Sequence, residues 1–193
     1  GRRFFGAAKP VHFPWLCYNK CMSHKNKAKV FIDGSNIFHA QKKLGWFVDW
    51  TKVKEQLDQN YDIIEWRYYI GVKDQDPGMA SFLRYLKAIG IKAITKPLKK
   101  IVLDLGDSHI ELTGQKYIYK ANFDVEITAD ILLDLGEVNE AILFSGDSDF
   151  VYLIKRLRDL GKKVTIYSSR KTISWELKLE AAKVIYLENL KEK

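Results

Sequence analysis

Short apolar runs alternate with longer amphipathic stretches along most of this chain. The apolar runs are rich in β-branched and aromatic residues and predict strands at 29–33, 62–71, 91–95, 141–146, 163–169 and 184–187. The stretches between them repeat their apolar residues at helical spacing and predict helices at 37–45, 50–59, 79–89, 124–135, 149–160 and 174–182. This alternation predicts an α/β fold, a three-layer α/β/α sandwich with a mostly parallel, Rossmann-like central sheet.

Residues 97–120 interrupt the alternation. Short β-prone stretches here are separated by tight turns, including the turn at Gly106, Asp107 and Ser108. We therefore predict an inserted β-ribbon at about 97–120 rather than another helix. The sequence leaves its role open between dimerisation, covering a site and gripping a substrate.

Charge divides the chain into two unequal parts. The 193 residues carry a net charge of +8, and seven of the 32 Lys and Arg residues lie in the first 29 positions, which contain no acid. The remainder is nearly neutral, so attraction to a polyanion would come from the N-terminal part and from local patches. We expect residues 1–28 to be a basic arm and residues 29–193 to form one domain. Met22 resembles a translation start, so residues 1–21 could be a leader or an added sequence.

Both cysteines, Cys17 and Cys21, lie in the basic arm. So few cysteines do not suggest a secreted disulfide scaffold, and a cytoplasmic protein is expected. Together with His12 and His24 they could supply four zinc ligands, but the spacing fits no standard zinc finger and unpaired thiols are favoured. Since no apolar run approaches the roughly 18 to 20 residues of a membrane span, no membrane association is expected.

Acidic residues follow predicted strands where parallel sheets bind ligands. Asp33 ends the first strand, and Asp147 and Asp149 follow the strand at 141–146. Asp124 begins a helix that must run back across the sheet to the next parallel strand, which places it at the same carboxyl edge. Each aspartate alone is explained equally well as a helix cap, whereas the four together predict an acidic site.

Gathered carboxylates repel one another unless a cation or a shared proton compensates. Oxygen ligands without His or Cys favour Mg²⁺ or Mn²⁺ over zinc, and the sequence leaves open whether one ion or two are held. Such ions activate water and neutralise charge that develops on a phosphoryl group. Asp130 is ambiguous, because it lies on an i, i+4 acidic line with Glu126 and Asp134 for which a solvated helix face is favoured.

Polar and cationic residues near these acids suit a phosphate ligand. The supporting candidates are Asn36, Ser35, Ser145, Ser148 and Asp130. Capping and turn formation explain the serines and Asn36 equally well. Ser168, Arg170 and Lys171 lie at and just after the end of the strand at 163–169. The two cations could hold a nucleic-acid backbone, although a solvated loop is the default interpretation.

Three blocks of sequence resemble the signature blocks of the NYN domain in its LabA-like branch, a member of the PIN-like nuclease superfamily. The blocks are FIDGSN, KANFDVEITADILLD and LFSGDSDFVYLIKRLRDLGKKV, and the likeness extends from about Lys29 to Leu187. The resemblance implies a PIN-like sandwich, a divalent metal and hydrolysis of RNA phosphodiesters. Carried over by position, it assigns metal binding and catalysis to Asp33, Asp124, Asp147 and Asp149, with Asn36 as a helper. The chain departs from the family pattern at Asn122, where Gly is common, and at Lys183, where Asp is frequent.

The leading hypothesis is therefore a Mg²⁺- or Mn²⁺-dependent ribonuclease that acts on single-stranded or structured RNA, with endonucleolytic cleavage expected. A non-catalytic RNA- or protein-binding regulatory module is the alternative, because a fold does not guarantee an activity. A small-molecule phosphatase would also suit the acids. The sequence leaves homo-oligomerisation open.

Overall fold

The computed structural model describes residues 25–102 and 116–190. The candidate zinc ligands of the basic arm and the middle of the inserted ribbon lie outside these residues. Within them, no helix combines the length and the apolar composition needed to cross a bilayer.

Six strands form a central sheet. They are β1 Asn26–Asp33, β2 Tyr61–Val72, β3 Lys92–Pro97, β6 Glu140–Phe144, β7 Lys163–Ser168 and β8 Lys183–Tyr186. Their order is β3-β2-β1-β6-β7-β8, and each neighbouring pair is parallel. The predicted parallel sheet is therefore confirmed.

Six α-helices among the described residues cover the sheet on both faces. They are α1 Gly34–Leu44, α2 Trp50–Asn60, α3 Pro77–Ala88, α4 Asp124–Leu133, α5 Val151–Asp159 and α6 Trp175–Glu180. One buried cluster contains Ile37 of α1 and Leu57 of α2, and a second contains Ile127 of α4 and Leu153 of α5. Two cores on opposite faces of one sheet confirm the three-layer α/β/α arrangement.

The alternation of side chains along β1 explains how one strand serves both cores. Val30 and Ile32 belong to the cluster under α1 and α2, whereas Phe31 belongs to the cluster under α4 and α5. Successive residues of a strand point to opposite faces, so a strand covered on both faces must be apolar throughout. This is why the apolar run that ends at Asp33 is continuous rather than alternating.

Side-chain caps set where several helices begin. Asp49 accepts hydrogen bonds from the backbone N–H groups of Thr51 and Lys52, so α2 begins at Trp50 as predicted. Ser174 accepts a hydrogen bond from the Leu177 N–H and caps α6 in the same way.

The structure corrects details of the third signature block. The strand predicted at 141–146 ends at Phe144, because the Gly146 N–H donates to Asn36 Oδ1 instead of continuing the sheet. The helix predicted at 149–160 begins as a 3₁₀ turn, Ser148–Phe150, before α5. Leu160, the last residue of the predicted helix, lies beyond the end of α5 and is 55% exposed.

The flanks of the predicted ribbon are confirmed. Strand β4 Lys99–Val102 pairs antiparallel with β5 Tyr117–Lys120, and the pair forms a second sheet of its own.

The strand order creates a topological switch point between β1 and β6. From β1 the chain builds outward through β2 to β3, and it then returns to the other side of β1 to build β6, β7 and β8. Connections that leave neighbouring strands in opposite directions open a crevice at the carboxyl edge of the sheet, where ligands bind in such folds. Asp33 ends β1 at this crevice, and Asp147 follows β6 there.

Candidate metal-binding site

The carboxylate of Asp33 is held rigidly at the end of β1. Its Oδ1 accepts hydrogen bonds from the Ser35 hydroxyl at 2.9 Å and the Asn36 N–H at 3.1 Å, which makes Asp33 the N-cap of α1. Its Oδ2 accepts a bond from the Ser145 hydroxyl at 3.1 Å, across the switch point. The capping explanation of Asp33 therefore holds, and the same side chain also joins the two loops of the crevice.

The loop after β6 is tied to the loop after β1 by a short chain of hydrogen bonds. Asn36 Oδ1 accepts from the Gly146 N–H at 2.8 Å, and Ser145 Oγ accepts from the Asp147 N–H at 3.2 Å. Asp147 Oδ1 in turn accepts from the Asp149 N–H at 3.1 Å, so Asp147 caps the 3₁₀ turn. These bonds orient Asp147 relative to Asp33, while Ser148 and Asp149 stay exposed.

Two glycines of the signature blocks are required by close approach. A Cβ atom at Gly34 would lie 2.5 Å from the Tyr69 carbonyl oxygen on β2. A Cβ atom at Gly146 would lie 2.6 Å from Ser168 Oγ, next to the loop after β7. The glycines therefore allow neighbouring backbones to pack against the acidic loops, which is a packing role rather than a chemical one.

Asp124 reaches the crevice as the first residue of α4. Its backbone N–H donates to Asn122 Oδ1 at 2.7 Å, and the residue is partly exposed. The prediction that this helix begins at the carboxyl edge is thus consistent with its place in the fold. Asn122, which the sequence singled out only as a departure from the family pattern, fixes the turn into the helix.

Electrostatics link Asp33, Asp124, Asp147 and Asp149, which we call the acidic rim. Burial raises the pKa of the Asp124 carboxyl against the opposing effect of a hydrogen bond with Asn122, and the negative charges of Asp147, Asp33 and Asp149 add to the rise. Burial likewise raises the pKa of Asp33, with Asp147 adding to the rise against the opposing effect of its hydrogen bonds. The carboxylates thus repel one another at this edge of the sheet.

The donor chemistry of the acidic rim fits a hard divalent cation. A carboxylate offers about four acceptor positions, and the three hydrogen bonds to Asp33 leave roughly one for a ligand. Carboxylate oxygens are the ligands that Mg²⁺ and Mn²⁺ prefer. In the part of the chain that the structure describes, however, no three His, Cys, Asp or Glu side chains stand close enough together to hold one ion. The rim therefore has suitable ligands that must move closer to coordinate jointly.

Asp130, a supporting candidate, contacts a different part of the molecule. Its Oδ2 accepts a hydrogen bond from the Tyr69 hydroxyl at 2.6 Å and lies 3.3 Å from the Arg67 guanidinium. Arg67 also pairs with Asp134 at 3.0 Å. We call the network under α4 the ion-pair belt; its members are Lys29, Glu65, Arg67, Tyr69, Asp130, Asp134 and Glu137.

The ion-pair belt corrects the interpretation of the acidic line on α4 as a solvated face. The side chain of Asp134 is only 13% exposed and pairs with both Lys29 and Arg67, so that interpretation is wrong for Asp134. Glu126 pairs with Lys96 and is more exposed. The acid at the start of α4 therefore belongs to the acidic rim, whereas Asp130 and Asp134, towards and just after its end, form ion pairs within the protein.

The candidate nucleic-acid loop after β7 is mostly engaged within the protein. Ser168 is fully buried, and its hydroxyl has no hydrogen-bond partner among the described residues. The Arg170 guanidinium lies 3.9 Å from the centre of the Tyr186 ring, and Lys171 Nζ donates to the Lys43 carbonyl at 3.1 Å. As placed, Ser168 has no surface from which to contact a strand.

The sequence matches a known protein family over most of its length. Residues 27–188 match the NYN domain, so the chain belongs to the NYN domain family, a family of PIN-like nucleases. Members of this family generally use divalent metals and bind RNA. The resemblance inferred from the three sequence blocks is thereby confirmed.

Two similar proteins place the chain more closely. It is 32% identical over 168 residues to the low amplitude and bright protein LabA of Synechococcus elongatus, and the match covers 86% of each chain. It also resembles the crystal structure of a protein of unknown function from Vibrio parahaemolyticus, with a TM-score of 0.71 and 23% identity. That match covers 87% of this chain and 96% of the other, and it supports the fold.

Proposed function

We propose that this protein is a ribonuclease that depends on Mg²⁺ or Mn²⁺ and cleaves RNA phosphodiester bonds at the acidic rim. The observation that most supports the proposal is that Asp33 and Asp147 are joined through Ser145 across the switch point. Burial, and to a smaller extent the neighbouring carboxylates, raise the pKa of Asp33 and Asp124 there. Bringing like charges together at a switch point is costly unless a cation binds there. Membership in the NYN family supports the same chemistry.

The residues of the rim divide the work. Asp33, fixed by Ser35, Asn36 and Ser145, supplies a pre-oriented carboxylate with one acceptor position left. Asp124, Asp147 and Asp149 would complete the ligand set from the helix and the neighbouring loop. A divalent ion held there would make water a stronger nucleophile and neutralise the charge that develops on the phosphodiester. The exposed Ser148 hydroxyl would donate to a phosphate oxygen, whereas the Ser35 hydroxyl donates to Asp33 and helps to hold the ligand carboxylate.

An extended polymer suits this site better than a small phosphate ester. Small-molecule sites usually enclose about 70 to 90% of the ligand surface. Asp149 of the rim and the neighbouring Ser148 are exposed, so a small phosphate ester bound there would keep much of its surface in solvent. This favours a strand that lies across the rim over an enclosed phosphatase substrate.

The test is incubation of the full chain with end-labelled single-stranded RNA in Mn²⁺, in Mg²⁺ and in chelator. We expect shortening that requires metal and that Asp147→Asn reduces by a factor of about 100 or more, since removing a group that stabilises the transition state costs several kcal/mol. Asp159→Asn is the matched control, because Asp159 is exposed at the end of α5 and its ion pair among the described residues is with Arg156. Cleavage that survives in chelator, or in Asp147→Asn, would contradict the proposal.

A non-catalytic RNA- or protein-binding module is the second candidate. It is favoured by the spacing of the rim side chains, since among residues 25–102 and 116–190 no three of them stand in a coordinating group. This candidate predicts RNA binding that persists in chelator, with no shortening in either metal and no effect of Asp147→Asn on the length of the RNA.

A further inference from the structure

The inserted ribbon leaves the body of the protein and returns to it beside the acidic rim. It departs after β3, where the Leu98 N–H donates to the Val72 carbonyl at the end of β2. On its return, the Asn122 carbonyl accepts a hydrogen bond from Lys96 Nζ at 2.6 Å, and Asp124 follows two residues later. The base of the ribbon is therefore fixed next to a proposed metal ligand.

The base of the ribbon is strongly basic. Residues 96–102 and 116–120 contain five lysines and no acid, whereas the three acids of the insertion lie at positions 104, 107 and 111 of the sequence. Lys96 pairs with Glu126. The ion pairs between described residues include none for Lys73, Lys99, Lys100, Lys116 or Lys120. Their positive charge is thus concentrated at the root of the ribbon, near the carboxylates.

One face of the ribbon combines these cations with aromatic rings. In the antiparallel register Lys100 lies opposite Tyr119, and Val102 lies opposite Tyr117, so all four side chains share a face. The two tyrosine rings meet edge to face with centroids 5.7 Å apart, and they are 42% and 44% exposed. We call this surface, together with Lys73, the tyrosine–lysine face.

Lysines lie directly against both rings. Lys100 Nζ is 4.1 Å from the centre of the Tyr117 ring, and Lys73 Nζ is 5.2 Å from the centre of the Tyr119 ring. Lys73 follows the last residue of β2, so it connects the tyrosine–lysine face to the carboxyl edge of the main sheet. Each ring therefore carries a cation beside it and leaves a large part of its surface in solvent.

This combination fits a single-stranded nucleic acid. Bases stack on exposed aromatic rings, and phosphates pair with lysines, without a need for base-specific hydrogen bonds. In an RNA duplex the bases are stacked inside the helix and cannot reach such rings. The loop after β7 is less suited to binding RNA, because the Arg170 guanidinium is packed on the Tyr186 ring and Lys171 Nζ donates to the Lys43 carbonyl.

We propose that the tyrosine–lysine face is the substrate-binding surface for single-stranded RNA and leads the strand to the acidic rim. Its identification as a substrate surface rests on the proposed ribonuclease function. The binding step itself needs neither a metal nor cleavage, so it can be measured separately.

The test is fluorescence anisotropy of a labelled 12-nucleotide oligouridine with the full chain in chelator. We expect Tyr117→Ala combined with Tyr119→Ala to weaken binding about tenfold or more, as loss of base stacking does elsewhere. Lys73→Gln combined with Lys100→Gln should flatten the dependence of log affinity on log salt by roughly 1.4, or about 0.7 for each phosphate contact. A duplex of the same length should compete poorly.

The control pair is Phe38→Ala with Lys42→Gln. Lys42 Nζ lies 4.5 Å from the Phe38 ring, which is 47% exposed, so α1 offers a similar cation–aromatic pair outside the ribbon. We expect it to leave RNA affinity unchanged. The lysine pair keeps the test valid should the tyrosine variant fail to fold, which circular dichroism would reveal.

The outcomes separate this proposal from the ribonuclease function. Unchanged oligouridine affinity in both ribbon variants, a preference for duplex, or no binding by the wild type overturns the tyrosine–lysine face even where metal-dependent cleavage is seen. Weakened binding in both ribbon variants, with no cleavage in any metal, supports the face and overturns the ribonuclease.

Discussion

The same two elements of this protein carry two groups of acids with opposite electrostatic settings. Strand β1 contains Lys29 and ends at Asp33, and helix α4 begins at Asp124 and contains Asp130 in its second half. In the ion-pair belt, Lys29 and Arg67 lie within 4 Å of carboxylates. At the acidic rim, the charges that act on the Asp124 pKa are those of other carboxylates.

The difference in electrostatic setting separates the acids that stabilise the fold from those available to bind a ligand. In the belt, a hydrogen bond from Arg67 lowers the pKa of Glu65, so the protein itself stabilises the ionised form. At the rim, burial and neighbouring acids raise the pKa of Asp124. A charge that is balanced internally contributes to stability, and one that is left unbalanced contributes to binding.

The largest expected effect comes from removing the central cation of the belt. Arg67→Met leaves Glu65, Asp130 and Asp134 without their shared partner and should lower the free energy of unfolding by about 3 to 5 kcal/mol. Urea denaturation measures the change. Arg156→Met is the matched control, since that side chain is 54% exposed and its surface pair should contribute at most about 1 kcal/mol. Equal losses of unfolding free energy in Arg67→Met and Arg156→Met would show that the ion-pair belt stabilises the fold no more than a surface ion pair does.

Next in size is stabilisation of the rim by a metal. Mn²⁺ at about 100 times its dissociation constant should raise the free energy of unfolding by roughly 2.7 kcal/mol. Asp33→Asn should reduce this gain strongly, while its amide oxygen can still cap α1. Thermal unfolding with and without Mn²⁺ provides the measurement. A gain of the same size in Asp33→Asn would show that the ion binds elsewhere.

A smaller effect depends on pH. Because Arg67 holds the pKa of Glu65 below its usual value, the pair stabilises the fold fully above that usual value and loses its contribution as the pH falls through the lowered one. Glu65→Gln should therefore cost about 1 to 2 kcal/mol at pH 7, and the difference from wild type should begin to shrink below about pH 4.3 and vanish once the pH is below the lowered pKa. Urea titrations at several pH values test this, and a cost that does not change with pH contradicts the ionic explanation.

The sequence predicts the layers of the fold better than it predicts the partners of each charge. The parallel sheet and its acidic edge follow from local signals, since apolar runs and terminal aspartates are contiguous in the sequence. The ion-pair belt does not, because Lys29, Arg67 and Asp134 come from three distant segments and meet only after α4 packs on the sheet. The sequence likewise does not predict that Ser168 is buried, because its burial depends on the close approach of Gly146 from a distant segment.

The alternation of tyrosines in β5 is a local signal for a shared aromatic face. Tyr117 and Tyr119 are two positions apart, so they lie on one face of β5. Lys100 lies opposite Tyr119, so it joins that face once the register of the two strands is known. The register of β4 against β5 is a pairing between separate segments, which the sequence alone does not fix.

The smallest effect tests whether belt and rim are separable. Tyr69→Phe removes only the hydroxyl that donates to Asp130 and keeps the ring that packs edge to face on Phe123, beside Asp124. The free energy of unfolding should fall by about 1 kcal/mol, the usual contribution of one hydrogen bond. The loss should disappear in an Asp130→Ala background, which lacks the acceptor, if the two groups act through this bond.

Affinity for Mn²⁺, measured by calorimetry, should change by less than about twofold in Tyr69→Phe. A carboxylate at the first turn of α4 depends chiefly on the packing of Ile127 and Ile131, which this substitution leaves in place. A tenfold weaker affinity would mean that the belt positions Asp124 through the helix. The two ends of α4 would then act as one unit, and the acids of the belt would belong to the site.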